Sequence, residues 1–375
     1  MRYRRFGKTN LHLSVFSLGT MRYLASPINA QETIEKALSY GINHFETARG
    51  YGKSEEYLGA ALAQIPATRS QIYITTKISP TPDADSMGCY IDESLKRLQL
   101  DYIDCLAIHG INTWEQLELA QSEGCKQAVQ AAVREGKVKH VGFSSHGSVE
   151  LISAAISSDL FEFVNLHYYY FFQRNAAALE LAKAKDLGVF IISPADKGGK
   201  LYTPPQKLID LCYPLTPLAL NYRFLLSDPQ ITTLSVGAAN AEELIEPLKY
   251  SDFDTPLNAT EIAACDRLLA QLTTIEPQKC SQCYACLPCP ENVNISEILR
   301  LRNLAVAYDM SDYGNYRYTM LENAGHWFPG NKGNRCTACG DCLPRCPEQL
   351  DIPALLADAH QKLNGSPRRR LWNEV

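Results

Sequence analysis

The segment INHFETARGYGKSEEYLGAALAQI, residues 42 to 65, contains one complete strand-loop-helix unit. Its first seven residues, INHFETA, are a short apolar run of strand length that includes aromatic and β-branched side chains. Its last twelve, SEEYLGAALAQI, have the apolar spacing of an amphipathic helix. A polar loop that contains Tyr51 joins the two. The segment therefore predicts a β-strand that leads, through a loop, into a helix.

The same alternation runs through the first 275 residues, with helix-like segments between the strand-like runs. The eight runs are LSVFSLGT (13 to 20), INHFETA (42 to 48), IYITTKI (72 to 78), DYIDCLAIH (101 to 109), HVGFSS (140 to 145), FVNLHYY (163 to 169), GVFIISPA (188 to 195) and TTLSVGA (232 to 238). Eight such units over about 250 residues match a TIM barrel in number and size. An open doubly wound sheet would show the same alternation, but no GxGxxG follows the first strand. We therefore predict an α/β fold with a TIM (β/α)8 barrel over residues 1 to 275.

Polar side chains follow three of the predicted strands, where the chemistry of a TIM barrel is found. Glu46 ends the second run and Tyr51 follows it, Lys77 lies in the third run, and His109 ends the fourth. Each has an ordinary alternative role, such as a local hydrogen bond, a solvated charge or packing. Lys77 is the least ordinary of them, because a charge in an apolar strand is costly unless it is paired. We take these four residues as the candidate catalytic group.

Several motifs, in order, resemble those of the aldo/keto reductase family. They are YRRFGKTNLHLSVFSLGT, GINHFETARGYGKSEEYLGAAL, YITTKIS, LDYIDCLAIH, VKHVGFSSH and VGAANAEELIEPL. The resemblance covers residues 1 to about 275 and implies an oxidoreductase that passes a hydride from NADP or NAD to a small carbonyl substrate. Such a reductase binds its nicotinamide cofactor without a Rossmann fold, in agreement with the missing GxGxxG.

The resemblance also implies roles for individual residues. Tyr51 would be the general acid, and Lys77 the adjacent cation that makes the phenol a better proton donor. Glu46 would pair with Lys77, and His109 would orient the carbonyl. The residues expected to hold the cofactor are Ser144 and Asn165 at the nicotinamide carboxamide and Gly237, Ala238 and Glu243 at the phosphate and adenosine end.

Three positions depart from the family pattern. The family usually has Asp where this chain has Glu46, which is one methylene longer. Ile192 stands where an aromatic ring often stacks on the nicotinamide. The loop GAANAEE, residues 237 to 243, has no Lys or Arg for the 2'-phosphate of NADP. The resemblance therefore does not choose between NADP and NAD.

Eight of the thirteen cysteines fall between residues 280 and 346, in two groups that both end in Cys-Pro. The groups are Cys280, Cys283, Cys286 and Cys289, and Cys336, Cys339, Cys342 and Cys346. The segments that follow, CPENVNISEIL (289 to 299) and CPEQLDIPALL (346 to 356), share one register at a period of 57 residues. Asn294 and Asp351 stand in this register where helix N-caps are expected. Such an internal repeat is typical of a bacterial two-cluster ferredoxin, which we predict over residues 276 to 375.

The spacing of the second group, C-x2-C-x2-C-x3-C-P, is that of an iron-sulfur site, and the first group is one residue shorter before its fourth Cys. Zinc is the alternative metal, although it prefers two separated CxxC pairs, and reactive thiols are a third possibility. In two-cluster ferredoxins the fourth Cys of each run binds the other cluster. We therefore expect two 4Fe-4S clusters, one held by Cys280, Cys283, Cys286 and Cys346, the other by Cys336, Cys339, Cys342 and Cys289. The five remaining cysteines, Cys89, Cys105, Cys125, Cys212 and Cys265, are expected to be buried, inert thiols.

Composition limits the remaining possibilities. The net charge of -5 gives no reason to expect nucleic acid or an anionic membrane as a partner. The RRR run at 368 to 370 is expected to be solvated. The sequence has no apolar run of transmembrane length and no signal peptide, so we expect a cytoplasmic protein.

A hydride carries two electrons and a 4Fe-4S cluster carries one, so coupling them normally needs a carrier such as a flavin. The sequence has no flavin signature. The favoured hypothesis is a carbonyl reductase whose clusters exchange electrons with a redox partner protein, or whose clusters are structural or redox-sensing. The alternative is an electron-transfer or redox-sensing protein on a catalytically weakened barrel. No loop at the predicted barrel mouth indicates the substrate.

Overall fold

The computed structural model of the chain describes residues 1 to 366, except for the side chains of residues 66 to 68. The RRR run at 368 to 370 lies outside the described residues. The described residues form two compact units, one of residues 1 to 198 with 221 to 256, the other of residues 199 to 220 with 257 to 366. The domain boundary predicted at residue 275 stays a prediction.

The first unit contains a closed barrel of eight parallel strands, in which each strand pairs with the next along the chain and the last pairs with the first. The barrel strands are β3 (Phe16–Gly19), β4 (His44–Glu46), β5 (Tyr73–Ile78), β6 (Ile103–Ile108), β7 (Val138–Ser144), β8 (Phe163–Leu166), β9 (Gly188–Ile191) and β10 (Thr233–Val236). The prediction of a TIM barrel is confirmed. All eight carboxyl ends therefore meet at one rim.

A short antiparallel hairpin precedes the barrel and shortens the first predicted strand. Residues His12–Ser14 (β2) pair with Tyr3–Arg5 (β1), so the run predicted at 13 to 20 divides between the hairpin and β3. Phe6, in the connection between β1 and β2, is fully buried and packs against Phe163 with a ring-centroid distance of 5.2 Å. A Cβ atom at Gly188 would lie 2.3 Å from the Phe6 ring. The hairpin thus contributes an aromatic side chain to the barrel core.

The helices follow the predicted alternation. At the N-cap of the third helix, Ala84–Leu98, the Asp83 side chain accepts from the Ser86 amide. The buried residues of this helix include Ile91, Leu95 and Leu98, which share one face. The helices are α1 (Pro27–Ser39), α2 (Ser54–Ala63), α3 (Ala84–Leu98), α4 (Trp114–Gln121), α5 (Glu123–Arg134), α6 (Val149–Ser157), α7 (Ala176–Ala184), α8 (Gln206–Cys212), α9 (Pro217–Leu226), α10 (Ile245–Leu248), α11 (Ala259–Thr273), α12 (Ile295–Tyr308), α13 (Ser311–Tyr318) and α14 (Ile352–Leu363). Over residues 1 to 366, none is both long and apolar enough to cross a bilayer.

The second unit repeats a cysteine segment followed by a helix. Helix α12 follows the first cysteine group and α14 follows the second. Asp351 occupies the N-cap of α14 and its side chain accepts from the Ala354 amide, as predicted. Asn294 occupies the N-cap of α12, but its side chain donates to the Pro329 carbonyl instead of capping the helix. The two halves of the repeat therefore share the order of cysteine segment and helix, but they differ in the hydrogen bonds of their N-cap side chains.

Candidate active site and cysteine groups

Glu46 and Lys77 form a buried ion pair at the ends of two adjacent strands. Glu46 ends β4 and Lys77 lies next to the last residue of β5, and their side chains are 5% and 2% exposed. The Lys77 ammonium also donates to the Thr47 carbonyl at 2.7 Å. Burial alone would lower the pKa of Lys77, but the nearby charge of Glu46, with a contribution from Tyr51, raises it. Lys77 is therefore a cation, and the longer Glu46 side chain reaches it.

Tyr51 and His109 lie beside this pair. The Lys77 Nζ atom is 4.5 Å from the centroid of the Tyr51 ring. The Tyr51 and His109 rings meet edge to face, with centroids 5.8 Å apart and planes at 84°. The backbone amide of His109, one residue beyond β6, donates to the Ile78 carbonyl at 2.8 Å. All four residues that the sequence selected as a catalytic group thus come together at the rim of the barrel.

The two residues predicted at the nicotinamide carboxamide are direct neighbours. Ser144 ends β7 and pairs in register with Asn165 on β8. The Ser144 hydroxyl accepts from the Gly110 amide at 2.9 Å. Asn165 is fully buried, and neither its amide nitrogen nor its amide oxygen has a hydrogen-bond partner. Since an unpaired buried amide is costly, this side chain fits a ligand that offers one donor and one acceptor, as a carboxamide does.

The segment after β10 contains the other predicted cofactor residues and one that the sequence did not reveal. Gly237 and Ala238 follow β10, and the Glu243 carboxylate accepts from the Ala239 amide at 3.1 Å. Arg22, from the loop after β3, donates to Glu243 at 2.8 and 3.3 Å and to the Gly237 carbonyl at 2.8 Å. The GAANAEE segment therefore does have a cation beside it. The adjacency of the first and last barrel strands is the signal that could have identified it.

A chain of hydrogen bonds beyond β7 and β8 was also missed. His146 bonds to His167 at 2.9 Å, His167 bonds to the Tyr169 hydroxyl, and that hydroxyl donates to the Ile192 carbonyl. The Ile192 carbonyl can only accept, so the Tyr169 hydroxyl uses its one proton in that bond. The hydroxyl therefore accepts a hydrogen bond from Nδ1 of His167. The Ile192 side chain is half-buried and packs against the barrel core. Ile192, which departs from the family pattern, thus contacts the barrel through both its backbone carbonyl and its side chain.

In the second unit the two cysteine groups interleave. Cys289, from the first group, lines a cavity with Cys336, Cys339 and Cys342 of the second. Burial, together with the neighbouring thiols Cys286, Cys283 and Cys346, raises the pKa of the Cys280 thiol to about 11. Cys346 thus lies near the first group. The last Cys of each group therefore lies with the first three Cys of the other group.

Arg345 connects the two groups through the backbone. Its guanidinium donates to the carbonyls of Leu287 and Pro288 at 3.0 and 3.1 Å, just before Cys289. It also donates to the Asp341 carbonyl at 2.9 Å. The residue before Cys346 therefore fixes the backbone segment that carries Cys289.

The expectation for the other five cysteines is only partly correct. Cys105, Cys125 and Cys212 are buried, and burial raises the pKa of each thiol. Cys265 is half-buried and Cys89 is exposed. The prediction was wrong for Cys89 because this residue lies on the solvent side of α3, one turn before Glu93, whose carboxylate accepts a hydrogen bond from the thiol at 3.8 Å.

Comparisons with known proteins agree with these observations. A model of the aldo/keto reductase family matches residues 16 to 270, and a model of the 4Fe-4S dicluster domain matches residues 279 to 350. Similar proteins include the uncharacterized oxidoreductase YrpG of Bacillus subtilis, 26% identical over 74% of this chain and 96% of that protein, and L-galactose dehydrogenase of Arabidopsis thaliana, 27% identical over 65% and 86%.

Solved structures show the same fold. The holo form of the aldo-keto reductase AKR11C1 from Bacillus halodurans matches with a TM-score of 0.61 at 21% identity, over 71% of this chain and 96% of that one. The family model covers more than half of the sequence, and the iron-sulfur model follows it without overlap. This chain therefore belongs to the aldo/keto reductase family and carries a 4Fe-4S dicluster domain after its barrel.

Proposed function

We propose that this oxidoreductase reduces an aldehyde, ketone or quinone-like carbonyl with a hydride from NADP or NAD. The observation that carries the proposal is the buried Glu46–Lys77 pair, with the Lys77 ammonium beside the Tyr51 ring and His109 at the edge of that ring. A buried cation that stays charged next to a phenol supports proton donation by that phenol. The four side chains come from three successive strands and the loops that follow them, at the rim where TIM barrels carry their chemistry.

In the proposed reaction Tyr51 gives its proton to the carbonyl oxygen. Lys77 stabilises the phenolate that remains, and Glu46 holds Lys77 in place through their direct contact. His109 orients the carbonyl oxygen toward Tyr51 by a hydrogen bond. When bound, the nicotinamide supplies the hydride. General acid catalysis of this kind contributes roughly 10²- to 10⁴-fold to a rate.

Asn165 and Ser144 would hold the nicotinamide carboxamide, because the buried Asn165 amide leaves one donor and one acceptor unused. Gly237, Ala238 and Glu243 would lie at the phosphate and adenosine end. Arg22 brings a positive charge to that end, but Glu243 offsets it, so both NADP and NAD remain possible cofactors.

The eight clustered cysteines would hold two 4Fe-4S clusters, with the fourth ligands exchanged between the groups. The cavity lined by Cys289, Cys336, Cys339 and Cys342 supports this assignment. Zinc is less well supported, since it prefers two separated CxxC pairs, whereas each group here has three Cys at C-x2-C-x2-C spacing in one short segment. A 4Fe-4S cluster instead binds its thiolates at the corners of a cube.

The clusters would serve electron transfer with a redox partner protein, and we keep the cytoplasm as the expected location. The experiment is anaerobic purification with iron and sulfide counts, followed by NADH or NADPH with an aldehyde or dicarbonyl substrate. We expect cofactor-dependent substrate reduction and iron for two clusters. Weak cofactor binding and turnover that does not depend on Tyr51 would contradict the proposal and favour the electron-transfer or redox-sensing alternative.

The exchange of fourth ligands can be tested with two matched double variants, both of which lack Cys346. If Cys346 serves the first group, Cys346→Ala with Cys283→Ala should remove ligands from one cluster only and leave the iron of the other. Cys346→Ala with Cys339→Ala should damage both clusters. Iron and sulfide counts after anaerobic purification distinguish the two, and the reverse order of iron contents would show that the ligands are not exchanged.

A further inference from the structure

The two halves of the iron-sulfur repeat differ at one buried hydroxyl. Ser296, the second residue of α12, is 1% exposed, and its Oγ atom lies 3.5 Å from the Sγ atom of Cys286. Either atom could donate when both carry a proton. A thiolate bound to iron has no proton to give, so Ser296 is then the donor and the sulfur of Cys286 accepts.

The second half of the repeat cannot make this bond. The register that pairs Cys289 with Cys346 and Asn294 with Asp351 pairs Ser296 with Pro353. Proline has neither a side-chain hydroxyl nor a backbone N–H, so it cannot donate. Pro353 lines the same cavity as Cys342, the third Cys of the second group. The third Cys of the first group thus has a hydroxyl beside it, whereas the matching position in the second half is a hydrocarbon ring that lines the same cavity as Cys342.

We propose that Ser296 raises the reduction potential of the cluster held by Cys286 and so makes the two clusters unequal. This inference rests on the proposed function, in which the cysteines hold clusters. Hydrogen bonds to the sulfurs are among the features that set iron-sulfur potentials. Reduction adds one electron, supplied by a chemical reductant in the test below, and no bond to Ser296 forms or breaks. The added negative charge strengthens the bond from the hydroxyl, which favours the reduced state.

Other charges near the second group do not remove the effect of Ser296. Arg345, Glu291 and Asp341 line the cavity of the second group, with charges of both signs. They shift the potential of that cluster by an amount that is the same in the wild type and in a Ser296 variant. A comparison at position 296 therefore isolates the hydroxyl, whatever the starting difference between the clusters.

The test is a redox titration of the anaerobically purified full-length protein, followed by EPR. In Ser296→Ala, we expect one of the two midpoints to fall by about 28 to 59 mV, which is a threefold to tenfold change in a one-electron equilibrium. Pro353→Ser, which places a hydroxyl at the matching position, should raise the other midpoint. Equal iron and sulfide contents are required of all three proteins.

If both midpoints stay within error in Ser296→Ala while the clusters are intact, the inference is wrong and the proposed function stands. A wild-type protein without 4Fe-4S clusters would overturn both. A fall of both midpoints together would also contradict the inference, because it assigns Ser296 to one cluster.

Discussion

Replacing Tyr51 with Phe is expected to lower kcat for carbonyl reduction by roughly 10²- to 10⁴-fold, the usual contribution of a positioned general acid. The change removes one oxygen and leaves the ring, so the edge-to-face contact with His109 and the position over Lys77 can be kept. Nicotinamide binding should change little, because Ser144 and Asn165 lie on other strands.

The measurement is steady-state reduction of an aldehyde or dicarbonyl, together with a fluorescence titration of the nicotinamide cofactor. Tyr57→Phe is the matched control, since Tyr57 lies in α2, six residues from Tyr51, and is half-buried. It should keep wild-type turnover. Full activity in Tyr51→Phe would remove Tyr51 from the mechanism, and equal losses in both variants would indicate a structural effect instead.

The sequence predicted the barrel because the strand pattern is strong, but it could not predict where each run divides. The run at 13 to 20 supplies both the hairpin strand β2 and the barrel strand β3, because the residues before Val15 pair with Tyr3–Arg5. This pairing depends on tertiary context, which a local pattern does not contain.

The candidate site was predictable where its residues lie at strand ends, as Glu46, Lys77 and His109 do. Arg22 was not, since it reaches Glu243 across 221 residues of sequence. The unpaired amide of Asn165 was also beyond the sequence, because whether a buried group has a partner depends on every element packed around it.

Replacing Lys77 with Met is expected to lower both activity and stability. The change leaves Glu46, whose side chain is 5% exposed, as a buried carboxylate without its cation. Breaking a buried pair in this way costs about 3 to 5 kcal/mol. Activity should fall because Tyr51 loses the cation beside it. The two measurements are thermal denaturation, which reports the stability of the first unit, and kcat for carbonyl reduction.

A double variant separates the two roles of Lys77. Lys77→Met with Glu46→Gln removes both charges, so it should regain much of the lost stability, because no uncompensated charge remains. It should not regain activity. Recovery of activity in the double variant would mean that Lys77 serves only to neutralise Glu46, and that the phenol of Tyr51 does not need it.

The pH dependence of the stability that Lys77 contributes follows from the raised pKa of this residue. A group whose pKa is raised on folding contributes its full stabilisation below its unfolded pKa, about 10.4 for Lys, and loses it only as the pH rises through the folded value. The gap in stability between the wild type and the double variant, in which neither position can titrate, should therefore be constant from about pH 6 to 9. A gap that closes within that range would show that Lys77 loses its proton there, and a neutral amine could not stabilise the Tyr51 phenolate as the proposed reaction requires.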